Sequence, residues 1–243
     1  MIPIASEPVL TLFKFPITNT FIDTLFVDFF LLLSTLFIYK HLTLIPGTFQ
    51  NIFEVITEYV YGLTETLAGE NAKKIYPWVI TFTLFILVSN YSGLLPGIGA
   101  IGFYTKKGFI PLLRSASTDL NVTAALALIS LAATHIMSYR SLGFKEYISR
   151  FITFNNPYML PIGLLELISE FTKIISFSFR LFGNIYAGEV LLSQLTSVFA
   201  FILPVPLMLY ESFVGLVQAA VFGMLTMAFM SILITPQHEG GEA

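Results

Sequence analysis

Residues 158–203 read YMLPIGLLELISEFTKIISFSFRLFGNIYAGEVLLSQLTSVFAFIL. Nothing in this run breaks a helical pattern strongly, because Pro161 falls in the first turn, where proline is tolerated. Its 46 residues would make a helix of about 69 Å at a rise of 1.5 Å each, twice the thickness of a hydrocarbon core. Either the segment breaks into two upright spans or it lies steeply tilted. Pro204 and Pro206 then make a turn, and a final helix covers residues 207–235, stopped by Pro236.

The composition fixes the solvent. Of 243 residues, 56% are hydrophobic and 11% charged, and Phe alone contributes 25. A soluble chain of this size carries about 25% charge to wet its surface. Most of this chain therefore faces lipid, and it reads as a single integral membrane domain. With no Cys there is no disulfide framework, thiolate metal site or covalent haem attachment. No metal and no cofactor is expected. A net charge of −3 gives a nucleic-acid partner no electrostatic footing. The opening residues lack a basic segment, so no cleaved secretory signal is expected.

Three ordinary spans precede the long run. Residues 21–39 are apolar apart from Asp23 and Asp28, residues 75–95 lack any ionisable acid or base, and residues 120–139 carry only His135. Residues 1–20 read as an outside tail. In residues 49–69, Ile52, Phe53, Ile56, Tyr59, Val60 and Leu63 recur at helical spacing, with Glu54, Glu58 and Glu65 on other faces. That pattern predicts an amphipathic helix lying on the membrane. Residues 96–118 read as an irregular loop carrying Lys106, Lys107 and Arg114, and residues 140–156 as a second polar segment ending at Pro157. With the amino terminus outside, six cations (Lys40, Lys73, Lys74, Arg140, Lys145, Arg150) fall on the cytoplasmic side and four (Lys14, Lys106, Lys107, Arg114) outside. The positive-inside bias favours that orientation and a cytoplasmic carboxyl terminus.

Residues 158–235 nevertheless contain Glu166, Glu170, Lys173, Arg180, Glu189 and Glu211. Facing lipid, six such groups would cost on the order of 15–20 kcal/mol, so they face protein or water. Glu166, Lys173 and Arg180 are spaced by seven and drift only about 20° per step along one stripe. Asn184 lies one turn beyond Arg180. Glu189 is about 180° around the helix from Arg180 and roughly 13 Å along it, so the two cannot pair. Glu211 and Gln218 share a face of the last helix. Asp119 and Asn121 open the third span on the outer side. Acids thus gather toward both surfaces with one permanent cation between them, the layout of two offset aqueous half-channels.

The run Phe179-Arg180-Leu181-Phe182-Gly183-Asn184-Ile185-Tyr186-Ala187-Gly188-Glu189 closely resembles the signature of subunit a of F-type ATP synthases. Further matches follow in family order: Ile45-Pro46-Gly47 through Gln50-Asn51, Ser89-Asn90 through Leu95-Pro96-Gly97, Asp119-Leu120-Asn121-Val122-Thr123, Glu166-Leu167-Ile168-Ser169 and Leu216-Val217-Gln218-Ala219-Ala220-Val221-Phe222. The resemblance covers residues 42–235. It implies an all-α polytopic membrane protein with about five membrane-crossing helices and an amphipathic surface helix. Its last two helices would be strongly tilted and form a hairpin against a rotating ring of c subunits.

The implied role is a stator providing two proton half-channels, not catalytic by itself, in a cell membrane. Its implied partners are the c-subunit ring, the b-subunit peripheral stalk, the catalytic head through the complex, and the lipid bilayer. Arg180 would be the gate. Glu189, Glu211, Gln218, Asn184, Asp119 and Asn121 would line the outer half-channel; Glu166, Glu170 and Ser176 the inner one. The position of Glu211 often carries His in the family, and Glu170 is less expected than Glu166.

Plainer readings stand beside these. Glu189 and Glu211 are alternatively neutral packing residues. Glu166, Glu170 and Lys173 form common helix-surface pairs. Asp119 is a helix cap, Asp23 and Asp28 are wetted at an outer entrance, and His135 is an ordinary polar residue. Gly215, Ala219 and Gly223, four apart, suit close packing against the preceding helix. At the level of the whole chain, an independent secondary transporter would show related halves, which this sequence lacks. A non-conducting scaffold would have no use for an intramembrane arginine. Na⁺ in place of H⁺ stays open.

Overall fold

The structure is a computed structural model and describes residues 6–12, 15–95, 101–105, 108–151, 160–198 and 204–235. Among the described residues seven α-helices carry it: α1 (Asn19–Lys40), α2 (Thr48–Ala68), α3 (Ala72–Leu94), α4 (Leu120–Leu142), α5 (Phe144–Phe151), α6 (Leu160–Val198) and α7 (Pro204–Ile234). Two small antiparallel hairpins complete it, β1 (Pro8–Leu12) with β2 (Phe15–Thr18) and β3 (Gly102–Thr105) with β4 (Gly108–Pro111). The hairpins replace the expected plain tail and irregular loop. Pro96, Gly97, Lys106, Lys107, Pro157, Tyr158, residues 199–203, Pro236 and His238 lie outside the described residues, as does the Arg150 side chain.

The long run resolves into one helix: α6 continues unbroken for 39 residues, about 58 Å. The alternative of two upright spans is excluded. α7 begins at Pro204 rather than after Pro206, because proline's fixed φ suits a first helical turn and its missing N–H is not needed there. Among the described residues, four stretches are long and apolar enough to cross a membrane: Asn19–Lys40, Thr48–Leu94, Leu120–Leu142 and Pro204–Ile234. α6 stands outside that set because Glu166, Glu170, Lys173, Arg180 and Glu189 interrupt it.

The burial pattern is inverted relative to a soluble protein. On α1 the buried residues are Asn19, Thr20, Asp23, Val27 and Ser34, while Phe21, Leu25, Phe29, Leu33 and Phe37 are exposed. A helix bound for lipid turns its polar groups inward and its large apolar ones out. Hydroxyls inside the helices are satisfied locally: Thr83, Thr134 and Ser178 each donate to the carbonyl four residues back, as hydroxyls do where no water is available.

α3 and α7 pack along the centre, with α4 and α6 against them. Phe82, Ile86, Leu181, Ile185 and Phe222 form one buried cluster, and Val60, Ile75, Val79, Met227 and Met230 a second toward the end of α7. The small residues of α7 face α3, not α6 as expected. A Cβ on Gly215 would lie 3.1 Å from the Asn90 Cβ, and one on Gly223 would collide with the Thr83 hydroxyl. The close approach lets Asn90 Nδ2 donate to the Gly215 carbonyl at 2.9 Å. α2 packs on α3: Tyr61, one turn beyond Thr57, stacks edge-on against Tyr76, whose hydroxyl donates to the Thr57 carbonyl at 3.4 Å. Gly69 takes a positive φ of 52° between them, where any other residue would be strained.

Candidate functional site

α6 and α7 meet along a seam of paired residues. Phe177 packs on Phe222, Asn184 Nδ2 donates to Gln218 Oε1 at 2.7 Å, and Gly188 faces Glu211. A Cβ on Gly188 would lie 2.8 Å from Glu211 Oε1, so the missing side chain makes room for the carboxylate. Glu211 and Glu189 thereby line one pocket with Asn90, Arg114, Ser115 and Thr118. Its volume, about 100 Å³, has room for several waters.

The counter-charge in this pocket comes from the segment before α4. Arg114 Nε donates to Glu189 Oε2 at 3.2 Å, with the arginine side chain 4% and the glutamate 27% exposed. The guanidinium also lies 5.9 Å from the Tyr186 ring centroid. Arg114 was expected only as a loop cation. Its role was hidden because its partner lies 75 residues away, beyond any helical spacing. Two further buried atoms bracket the pocket: Asn90 Oδ1 and Glu211 Oε2 have no hydrogen-bond partner among the described residues.

Arg180 sits differently. It is exposed on a row with Ser176, Asn184, Ala187 and Leu191, and its Nη2 donates to Ser176 Oγ at 3.4 Å. Among the described residues no carboxylate pairs with it. Along α6 it stands about 15 Å past Glu170 and about 13 Å before Glu189. Large apolar side chains, Ile175 and Phe179 among them, are exposed beside it.

At the other end of α6, Glu170 is 6% exposed. Lys173 Nζ donates to its Oε1 at 2.7 Å, and His135 Nε2 of α4 lies 3.6 Å from its Oε2. The other imidazole nitrogen, Nδ1, is 3.0 Å from the Tyr147 hydroxyl of α5. Lys173 Nζ also lies 4.3 Å from the Phe229 ring centroid on α7. Glu166 is half-buried one turn earlier.

Not all expected residues converge. Asp119 caps α4, accepting from the Asn121 N–H at 2.9 Å and from the Thr20 hydroxyl at 2.9 Å. Asn121 is exposed, and neither side chain lines the Glu189–Glu211 pocket. Gln218 is engaged by Asn184 rather than by Arg180. Asp23 is not wetted: it is 1% exposed and accepts from Ser92 Oγ at 3.0 Å and the Ala116 N–H at 2.9 Å. A short side chain there ties α1 to α3 and to the turn before α4. Asp28 is exposed.

The sequence profile of the family described as "ATP synthase A chain" matches residues 20–231. The chain belongs to that family. It is 31% identical over 216 residues to ATP synthase subunit a of Moorella thermoacetica, covering 89% of this chain and 90% of the relative. It is 36% identical over 232 residues to a protein of Propionigenium modestum named ATP synthase subunit a, sodium ion specific, covering 94% and 78%. A relative named ATP synthase subunit a in Legionella pneumophila (strain Philadelphia 1) is 32% identical over 219 residues, covering 89% and 86%. As a member of the ATP synthase A chain family, the chain is a multi-pass membrane-sector component that works in a complex with other subunits.

Proposed function

We propose that this chain is the ion-conducting stator of an F-type ATP synthase. The observation that carries the reading is Arg180, an exposed cation without a carboxylate partner among the described residues, standing between two clusters of acids. A guanidinium at membrane depth is costly unless something meets it, and here the surface that carries it has to be met by another chain. A rotor carboxylate of the c-subunit ring has the right charge. The Glu189–Glu211 pocket delivers a proton to that carboxylate, which turns into lipid as a neutral acid. After nearly a full turn it gives the proton up toward Glu166 and Glu170 and returns as an anion to Arg180.

An arginine stays charged throughout this cycle, so Arg180 attracts the anion and blocks a direct proton path. Each charge crossing 100 mV delivers about 2.3 kcal/mol, so several pass per ATP. The chain performs no catalysis itself; the head does so, held by the b-subunit stalk. The amino terminus lies outside a plasma or inner membrane and the carboxyl terminus in the cytoplasm, α2 rests on the inner surface, and α6 and α7 incline along the ring. A relative at 36% identity is named for sodium, which supports Na⁺ as a second reading of the coupling ion.

The test is Arg180→Ala in the intact complex at matched assembly. Proton-driven ATP synthesis is lost and passive proton leak appears as the half-channels join. Normal coupled synthesis in this variant contradicts the proposal.

A further inference from the structure

Three titratable side chains from three helices converge on one cavity at the Glu170 end of the molecule. The cavity holds about 390 Å³ and is otherwise walled by apolar groups such as Leu131, Phe151, Leu167 and Phe171. A structural ion pair needs only Glu170 and Lys173, which already meet at 2.7 Å. That pairing engages Oε1 alone. Oε2 is buried, turned to His135 at 3.6 Å, and has no hydrogen-bond partner among the described residues. The imidazole presents one nitrogen to Glu170 and the other to the Tyr147 hydroxyl. Phe151 holds the ring from the side, its centroid 6.2 Å away.

We propose that Glu170, His135 and Tyr147 form the proton-release relay of the inner half-channel; the inference rests on the half-channel reading above. Imidazole suits the task because its two nitrogens can take and release protons separately. Protonated Glu170 passes its proton from Oε2 to His135 Nε2 and becomes a carboxylate held by Lys173. The imidazolium then releases the Nδ1 proton, which points to Tyr147 Oη, into water on the cytoplasmic side. One proton has entered and one has left; the imidazole is now protonated on Nε2, and loss of that proton to water as Nδ1 takes one up restores the first tautomer with no net change. Tyr147 is a positioning residue, since its hydroxyl fixes the ring through Nδ1. α5 thereby becomes part of the conducting path.

The test uses membrane vesicles carrying the complex stripped of its catalytic head, with passive proton conduction as the readout. His135→Leu lowers conduction about tenfold or more, in line with the loss of a positioned proton carrier. Tyr147→Phe lowers it less. In His135→Ala, whose short side chain leaves room for a free imidazole, conduction falls likewise and imidazole added on the cytoplasmic side restores it. Unchanged conduction in His135→Leu overturns the relay, and so does a loss in His135→Ala that imidazole does not restore. Glu189→Gln, measured alongside, separates the relay from the half-channels. If it blocks conduction while His135→Leu does not, the relay fails and the half-channels stand. If neither variant has an effect, both fail.

Discussion

Two carboxylate clusters sit on the same helix about 28 Å apart, and they are stabilised by opposite means. At Glu189 the counter-charge is an arginine planted by the chain before α4, almost wholly buried and braced against Tyr186. At Glu170 it is a lysine on the same helix, helped by an imidazole that is charged only when protonated. A buried guanidinium is a permanent, rigidly aimed charge, whereas a lysine ammonium is a point charge on a flexible stem. In the proposed stator, the first cluster would keep one acid fixed while Glu211 beside it takes up a proton, and the second would change protonation state. Delivery and release of an ion make different demands on an acid, and the different counter-charges at the two ends of α6 are consistent with that division.

The largest difference between the two ends of α6 is expected at Arg114. Arg114→Leu leaves Glu189 in its pocket without its arginine; because Glu189 is 27% exposed and can be hydrated there, the loss falls below that of a fully buried pair, about 3–5 kcal/mol. Thermal unfolding of the purified complex shows a clear drop, and the double variant Arg114→Leu with Glu189→Leu recovers much of it. The corresponding change at the other end, Lys173→Met, has a smaller effect, because the pair is local and lies at a flexible side chain's tip. Equal losses at the two ends would remove the contrast.

Next in size are the acids themselves. Glu189→Gln and Glu211→Gln each slow passive proton conduction in head-stripped vesicles, by about tenfold for a lost relay group, with assembly intact. Normal conduction in both single variants and in the double variant returns these residues to packing. The smallest effect is sought at Gly188. In Gly188→Ala the new methyl meets the tip of the Glu211 side chain, which swings aside at little cost. Conduction falls a few-fold or less while thermal stability stays level. A large loss of stability would mean that the glycine serves backbone packing instead.

The sequence carried the long helix and its charges clearly, because apolar length and seven-residue spacing are local properties. Arg180, Asn184 and Glu189 stood in a motif, and the seam partners Glu211 and Gln218 shared a face. Periodicity gives a face but not the neighbour it meets, which is why the Gly215–Gly223 stripe was assigned to α6 while it packs on α3. Arg114 and Asp23 were missed for a related reason. Each acts on residues tens of positions away, Asp23 on Ser92 and Ala116 and Arg114 on Glu189. His135 read as ordinary because a lone polar residue on an apolar helix gives no hint of Glu170 and Tyr147 across from it. The two hairpins lie in short stretches where neither strand is long enough to show alternation.

In the proposed stator the two clusters open to opposite faces of the membrane with Arg180 between them. Single cysteines at Ser115, beside Glu189, and at Ile148, beside His135, test it in sealed vesicles carrying the intact complex. A small charged thiol reagent that does not cross the bilayer is supplied from one side at a time. Ser115→Cys is expected to react only with reagent on the outer side and Ile148→Cys only with reagent on the cytoplasmic side. Labelling of both positions from the same side would contradict the two-sided arrangement.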